Sequence, residues 1–487
     1  MSRADDTPSA RPSARDRLRV VARQGVSVEP DDDGDSFGDD DLAQQLSSPA
    51  DSRPVRFAPR LAPRAAHTAN VARRTWFAYL FFPIFAIYSV VDALRSLRDR
   101  LQRDRGRHIE SRPPFRRPEG MPPLAERSVA DIAAAIDRFP FRPAKISTSA
   151  AFFRDSGPDA LGALLAPYPD VTTIPHLYPP YFQQRLFTGD QGAQLSGMQA
   201  MHEHRGPALV IAHGLLMTKN FDLVIQLARR AFEQWGFHVV TFDMRGWGQS
   251  TWTTDAPASA GYHEGRDILE IARELHRDPR VTSVAGIGFS LGGASMLNAA
   301  YAQTLGDDTP LDGGFVSVSP PTMIDVALQH ISTKPHWRDP FFGLWHVFQA
   351  AIKGTVRRRG LDRELRSWRD LVYTLSAPYY GITVEEFAER ASAVNFADKI
   401  ETPGLVLHAA DDFLVTVQHA YALQDTVADN PNVHVMVRDA GAHVAFAAVD
   451  SSWYHSVLRR WFEYWATPGE SRADADDPAE DLDSEVG

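Results

Sequence analysis

Three separated stretches of the sequence carry side chains that could cooperate in acyl transfer. In Val284-Ala-Gly-Ile-Gly-Phe-Ser-Leu-Gly-Gly293, Ser290 lies between Gly288 and Gly292. A short apolar run precedes it, and Ala294, Leu297 and Tyr301 follow at helical spacing. Strand, tight turn and helix is the context in which Gly-x-Ser-x-Gly reads as a nucleophile elbow. Such a turn holds its central residue in strained backbone, and side chains at the flanking glycines would collide with neighbouring chain. The serine hydroxyl then stands at the N-terminus of the next helix, beside unpaired N–H groups and a positive dipole end.

A serine hydroxyl is a weak nucleophile at neutral pH, so it needs a base, and the base needs an orienting carboxylate. With an elbow of this kind the acid follows the serine in the chain and the histidine comes last. The acid candidates are Asp411 and Asp412, in the loop after the apolar run 404–408. The base candidate is His443, in the loop after the run 433–437. An oxyanion hole is expected from two backbone N–H groups, that of Leu291 and that of Leu215. Leu215 follows His213-Gly214 at the end of the run 208–212. His213 and Gly214, like Gly288 and Gly292, read as supporting-loop residues rather than reacting ones. Asp243 and Arg245 read as fixing a further strand-end turn, and the closeness of His238 to Asp243 in sequence reads as chance.

The elements that must position these groups alternate. Strands are expected at 208–212, 237–242, 284–289, 314–319, 404–408 and 433–437. Helices are expected at 221–232, 266–275, after Ser290 and at 453–465, with a hairpin over 184–198 turning at Asp190-Gln-Gly192. Repeated βα alternation predicts a mostly parallel, doubly wound α/β sheet, and all three candidate loops leave the carboxyl ends of its strands. Residues 320–400 lack a clear core strand but hold Trp337, Phe341, Phe342, Trp345 and Phe348. That is too long for a connection and predicts a helical cap over the elbow. Its aromatics either fill the space between cap and sheet or line an acyl pocket.

Composition bounds the alternatives. The chain of 487 residues has no cysteine, which excludes disulfides, thiolate metal sites and a cysteine nucleophile. A net charge of −11 argues against a nucleic-acid partner. Residues 1–70 and 469–487 read as disordered tails, the first with eight carboxylates among residues 29–41. No apolar stretch directly follows the first basic residues, so no cleavable signal peptide is expected. The segment 71–112 differs. Residues 75–91 carry no charge and include Trp76, Tyr79 and Tyr88, with arginines on both sides. It reads as a spanning helix, an interfacial helix with a basic skirt, or a helix packed on the catalytic domain. Membrane association is the expectation, with the catalytic domain cytoplasmic; a wholly cytoplasmic protein is the alternative. The remaining divisions are an N-terminal extension at 113–183 that packs on the core, a core at 184–319 and 401–468, and the cap at 320–400.

Together, His213-Gly214, Arg245-Gly246-x-Gly248-x-Ser250, Gly288-Phe-Ser-Leu-Gly-Gly293, Ser319-Pro-Pro321, Ala410-Asp-Asp412 and Gly441-Ala-His443 resemble the α/β-hydrolases. Within them, these residues are similar to the embryogenesis-associated-type and abhydrolase-domain lipases and esterases. Tyr379-Tyr380 and Arg390-Ala-Ser392, before Ile400 and Pro403, fit the same branch. The resemblance runs over roughly residues 177–465. It implies the α/β-hydrolase fold with a helical cap, no cofactor or metal, and cleavage of small-molecule or lipid esters. It also implies Asp412 as the acid, the fourth residue of a loop that begins at Ala409. An acyltransferase or thioesterase would use the same groups, and a membrane-associated scaffold would need none of them. The sequence departs from the branch at Phe413, where proline is usual, and at Ala442, where glycine is usual. Ala442 implies a less unusual backbone beside His443 than glycine would.

Overall fold

The structure is a computed structural model. It describes residues 122–466, apart from 124–125, 147, 149–150, 153–177, 337–338, 340, 360–364 and 366. The tails, the apolar segment 75–91, much of the N-terminal extension and Trp337 lie outside the described residues.

A first helix, α1 (Val129–Asp137), is capped by the Ser128 hydroxyl and buries Val129, Ile132 and Ile136. The hairpin β1 (Gln183–Thr188) and β2 (Gln194–Ala200) follows, its turn a single 3-10 loop at Asp190–Gly192. Then come β3 (Gly206–Ala212), α2 (Asp222–Trp235), β4 (His238–Phe242), the short α3 (Ser250–Thr253), α4 (Tyr262–His276) and β5 (Val281–Phe289). The second half has α5 (Leu291–Thr304), β6 (Phe315–Val318) and four helices, α6 (Ile324–Ser332), α7 (Phe342–Arg359), α8 (Trp368–Tyr380) and α9 (Val384–Ala391). It closes with β7 (Gly404–Ala409), α10 (Gln418–Thr426), β8 (Val433–Arg438) and α11 (Phe446–Trp465), the last kinked at Asp450.

The eight strands form one sheet in the order β1-β2-β4-β3-β5-β6-β7-β8. β2 runs antiparallel to β1 and β4, and every later pairing is parallel. This is the doubly wound, mostly parallel sheet that the βα alternation predicted. Buried parallel strands need apolar side chains on both faces, and β3 and β7 are buried at every residue. Helices α2 and α11 cover one face, where Val224, Leu227, Trp461 and Phe462 meet Leu209, Ile211 and Leu405. Helices α4 and α5 cover the other, which continues into α6–α9.

The chain leaves β3 for β4 on one side and returns past β3 to β5 on the other. The strand order therefore reverses beside β3 and β5, and their carboxyl ends form the crevice where ligands of such sheets bind. The loop after β3 carries Gly214 and Leu215, and the turn after β5 carries Ser290. Among the described residues, no helix is long and apolar enough to cross a membrane.

Candidate active site

Ser290 has φ 52° and ψ −115°, a conformation that costs a non-glycine residue of order 1–3 kcal/mol. Two close approaches impose it. A Cβ on Gly288 would stand 2.0 Å from the Gly292 carbonyl oxygen, and one on Gly292 would stand 2.4 Å from that of His213. Only hydrogen at both places lets β5 turn into α5 against the end of β3. The first N–H groups of a helix have no intrahelical partner, so α5 opens at Leu291 with free donors beside the Ser290 side chain. The β3 loop presses on the same point, since a Cβ at Gly214 would come 3.2 Å from Ser290 Cβ.

That loop is anchored from beneath. His213 is fully buried, its Nδ1 2.8 Å from the Gly214 carbonyl, and its Nε2 accepts the Met244 N–H at 3.0 Å. Both contacts use the neutral ring, and burial lowers its pKa to about 4. Further along, Lys219 is fully buried. Its Nζ donates to Asp243 Oδ2 at 2.5 Å and to Gln249 Oε1 at 2.9 Å, and its N–H donates to Asp243 Oδ1 at 2.7 Å. Asp243 therefore fixes the β3 and β4 loops together. Arg245 does its work elsewhere, with Nε and Nη2 on Asp267 of α4 at 2.8 and 2.5 Å. Sequence reasoning assigned Asp243 and Arg245 to loop fixing but missed Lys219 and Asp267, whose carriers gave no motif. His238 holds the His202 N–H through Nδ1 and does not approach Asp243 in any hydrogen bond.

The acid loop separates its two carboxylates. Asp412 Oδ2 lies 2.9 Å from His443 Nδ1, while Oδ1 accepts the N–H groups of Leu414 and Val415 at 2.9 Å each. Burial alone would raise this carboxyl; the charge and hydrogen bond of His443, with His408 and the Val415 N–H, outweigh it and hold the pKa below the usual range. Asp411 turns away, with Oδ1 on the Ala442 N–H at 2.8 Å and Oδ2 on the Thr148 hydroxyl at 2.9 Å. His408, another residue unforeseen from the sequence, donates from Nε2 to the Val415 carbonyl at 2.9 Å and so ties the loop back to β7.

The backbone around His443 corrects one expectation. Ala442 keeps a left-handed φ of 47° and Val444 one of 58°, so alanine occupies the conformation that glycine would favour rather than a more ordinary one. The Ala442 N–H bond to Asp411 holds the turn in that shape.

Ser290, His443, Leu215 and Leu291 all line one cavity of about 150 Å³ beneath α6–α8. Its polar side chains are Ser290, Thr355, Ser376 and His443; the rest of the wall is apolar, including Trp247, Ile324, Leu328, Phe348 and Trp368. Of the cap aromatics, Phe341 is buried in the core and Phe348 is both buried and on the cavity wall. The arrangement has a hydroxyl beside free N–H donors and an imidazole fixed by a buried carboxylate. It can carry out acyl transfer to and from a serine. No group of three His, Cys, Asp or Glu among the described residues could hold a metal.

A sequence family described as "alpha/beta hydrolase fold" matches residues 207–447. The chain is 24% identical over 298 residues to the medium-chain fatty acid ethyl ester synthase/esterase 2 of Saccharomyces cerevisiae, a match covering 54% of this chain and 64% of that one. It is 25% identical over 274 residues to the monoacylglycerol lipase of the same yeast, covering 53% and 59% respectively. The chain thus spans less than two thirds of either relative. Among solved structures, an esterase of Pyrococcus furiosus aligns with a TM-score of 0.42 at 16% identity, over 61% of this chain and all of that one.

Proposed function

Since this chain belongs to the α/β-hydrolase family, we propose that it is a serine hydrolase of carboxylic esters. The observation that carries the reading is one apolar cavity shared by Ser290 and a His443 whose Nδ1 is held by a buried carboxylate. Ser290 Oγ adds to the acyl carbonyl as His443 Nε2 takes its proton, and the oxyanion is held by the N–H groups of Leu215 and Leu291. Collapse expels the alcohol, which receives the proton from His443. Water, deprotonated by His443, then cleaves the acyl-enzyme and returns the acid and free Ser290. Asp412 keeps the Nδ1–H tautomer and stabilises the imidazolium in both halves. Each oxyanion donor is worth on the order of 10²-fold in rate.

The cavity wall points to the acyl portion. Apolar pockets with few polar groups take alkyl chains, so esters of medium or longer acids should be preferred over acetates. The yeast relative's name joins ester synthesis to hydrolysis, which supports a second reading in which an alcohol replaces water in the deacylation step. We also propose that residues 75–91 bring the domain to a bilayer. Support for this comes from the sequence alone: an uncharged stretch with interfacial aromatics and arginine flanks.

The test is to treat the full-length protein and Ser290→Ala with a fluorophosphonate probe, and to assay both on p-nitrophenyl acetate, octanoate and laurate. Labelling and turnover are expected in the parent only, with octanoate faster than acetate. Equal labelling of both proteins would sink the serine assignment, and faster acetate hydrolysis would sink the acyl pocket. Added ethanol that diverts product from acid to ethyl ester supports the transfer reading. Removing residues 1–110 should move the protein from the membrane to the soluble fraction; unchanged partition would refute the anchor.

A further inference from the structure

The cavity wall is not built from the family-matched residues alone. The described part of the N-terminal extension runs up the β8 edge of the molecule in successive contacts. Asp137 pairs with Arg438 at 2.8 Å, and Phe141 meets Trp453 edge-on with ring centres 4.8 Å apart. The Arg142 N–H donates to Asp450 Oδ2 at 2.7 Å and the Ala144 N–H to the Val449 carbonyl at 2.9 Å. The Thr148 hydroxyl reaches Asp411, and Phe152 packs edge-on against Phe413 at 5.4 Å and 81°. Phe152 is buried and lies on the wall of the cavity that holds Ser290 and His443.

These contacts converge on the acid loop. Phe413 and Asp411 flank Asp412, and Leu414 and Val415, which also line the cavity, give their N–H groups to Asp412 Oδ1. Phe413, present where this branch usually has proline, supplies the ring that Phe152 rests on. The Phe152 ring therefore has a fixed backing rather than a free edge. Edge-to-face ring pairs favour such an orientation beyond the area they bury.

We propose that Phe152 is a specificity-determining residue, a wall that the N-terminal extension adds to the acyl cavity on the side of the acid loop. The inference rests on the reading of that cavity as an acyl site served by Ser290. With the ring in place, Phe152 forms part of the wall on that side. Removing it opens room for further methylenes, and enlarging it shortens the usable chain. One newly buried methylene is worth about fourfold in a binding or rate ratio.

The experiment compares full-length parent, Phe152→Ala and Phe152→Trp on p-nitrophenyl butyrate, octanoate and laurate. The Ala variant should raise the laurate-to-butyrate ratio of kcat/KM at least fourfold, and the Trp variant should lower it. Far-ultraviolet circular dichroism like the parent's identifies the variants that fold. A ratio that stays within twofold of the parent in both folded variants overturns the proposal. A second readout separates this failure from that of the ester-hydrolase reading. Ser290→Ala and Ser290→Ala/Phe152→Ala are titrated with butyric, octanoic and lauric acids. If the parent cleaves no ester, that reading fails, and the wall stands or falls on whether the double variant binds laurate at least fourfold more tightly. Equal laurate affinity in the two proteins refutes it.

Discussion

Two adjacent carboxylates with opposite duties are the sharpest case at the scale of single residues. Asp412 is buried with its charge spread over two N–H groups and His443, whereas Asp411 joins the histidine turn to the N-terminal extension. Asp412→Asn would present an amide N–H or a neutral oxygen to His443 Nδ1 and favour the wrong tautomer. Its kcat should fall by about 10⁴-fold, the scale set by acid-to-amide changes in such triads. Asp411→Asn keeps an oxygen for the Ala442 N–H, so kcat should fall less than tenfold, with a lower Tm from the weakened bond. Steady-state kinetics and thermal melts on the two proteins check this, and a larger kcat loss at Asp411 would reverse the assignment. The order of serine, acid and histidine was legible because each sits next to a strand end that hydropathy reveals. The direction in which each of two neighbouring aspartates points was not, because the two groups that turn Asp411 away, Thr148 and Ala442, lie 263 and 31 residues from it. The backbone at Ala442 was misread for a similar reason. Residue type sets what a conformation costs, but a hydrogen bond from elsewhere decides that it is adopted.

Among elements, the strands were legible and the cap only by default. Runs such as 208–212 and 404–408 are apolar throughout because the sheet buries both their faces. The cap announced itself as a long stretch with no such run, and its many aromatics said that something is buried without saying against what. The contacts supply that. The cap is fastened to the core through α8, where Tyr380 Oη donates to the Pro257 carbonyl at 2.5 Å and accepts from Arg245 Nη1 at 3.1 Å. Its ring stacks on His263 at 4.0 Å, and Ser376 on the same helix donates to the Ala258 carbonyl at 2.6 Å. Arg245 is itself clamped by Asp267, so the cap is pinned to a rigid, buried ion pair. Pro257 and Ala258 line the cavity that holds Ser290 and His443, so this fastening borders the acyl wall proposed above. Tyr380→Phe keeps the stack but leaves a buried carbonyl and a guanidinium N–H short of a partner, a loss of about 1–3 kcal/mol. The expected result is a lower Tm and a raised KM for laurate, with kcat on acetate changed less than threefold. An unaltered Tm together with an unaltered KM for laurate would show that the fastening lies elsewhere.

For the molecule as a whole, the buried histidines set a dependence on acid that the net charge would not suggest. His213 and His419 are held neutral by burial, with pKa values lowered to about 4 and about 3. Their ring nitrogens are committed as acceptors: His213 Nε2 to the Met244 N–H, and His419 Nδ1 to the Thr322 and Met323 N–H groups at 3.2 Å. In the unfolded chain both rings take up a proton near pH 6.5. Between pH 6.5 and 4 the unfolded state therefore binds more protons than the folded one, and stability falls as the pH is lowered. Asp412 extends the same trend further down, since a depressed carboxylate contributes stability above its unfolded value and loses it as the pH drops through the folded one. Charge repulsion pulls the other way, because a net charge of −11 shrinks as acid is added. A decline in Tm from pH 7 to pH 4.5 would thus report the histidines. His419→Asn places an amide oxygen near the Nδ1 position and removes one titrating ring. It should reduce the pH dependence of unfolding free energy between 6.5 and 4 by about 1.4 kcal/mol per pH unit, one proton's worth. Denaturant titrations at pH 7, 6, 5 and 4.5 measure that slope, and an equal or steeper slope in His419→Asn would refute the assignment.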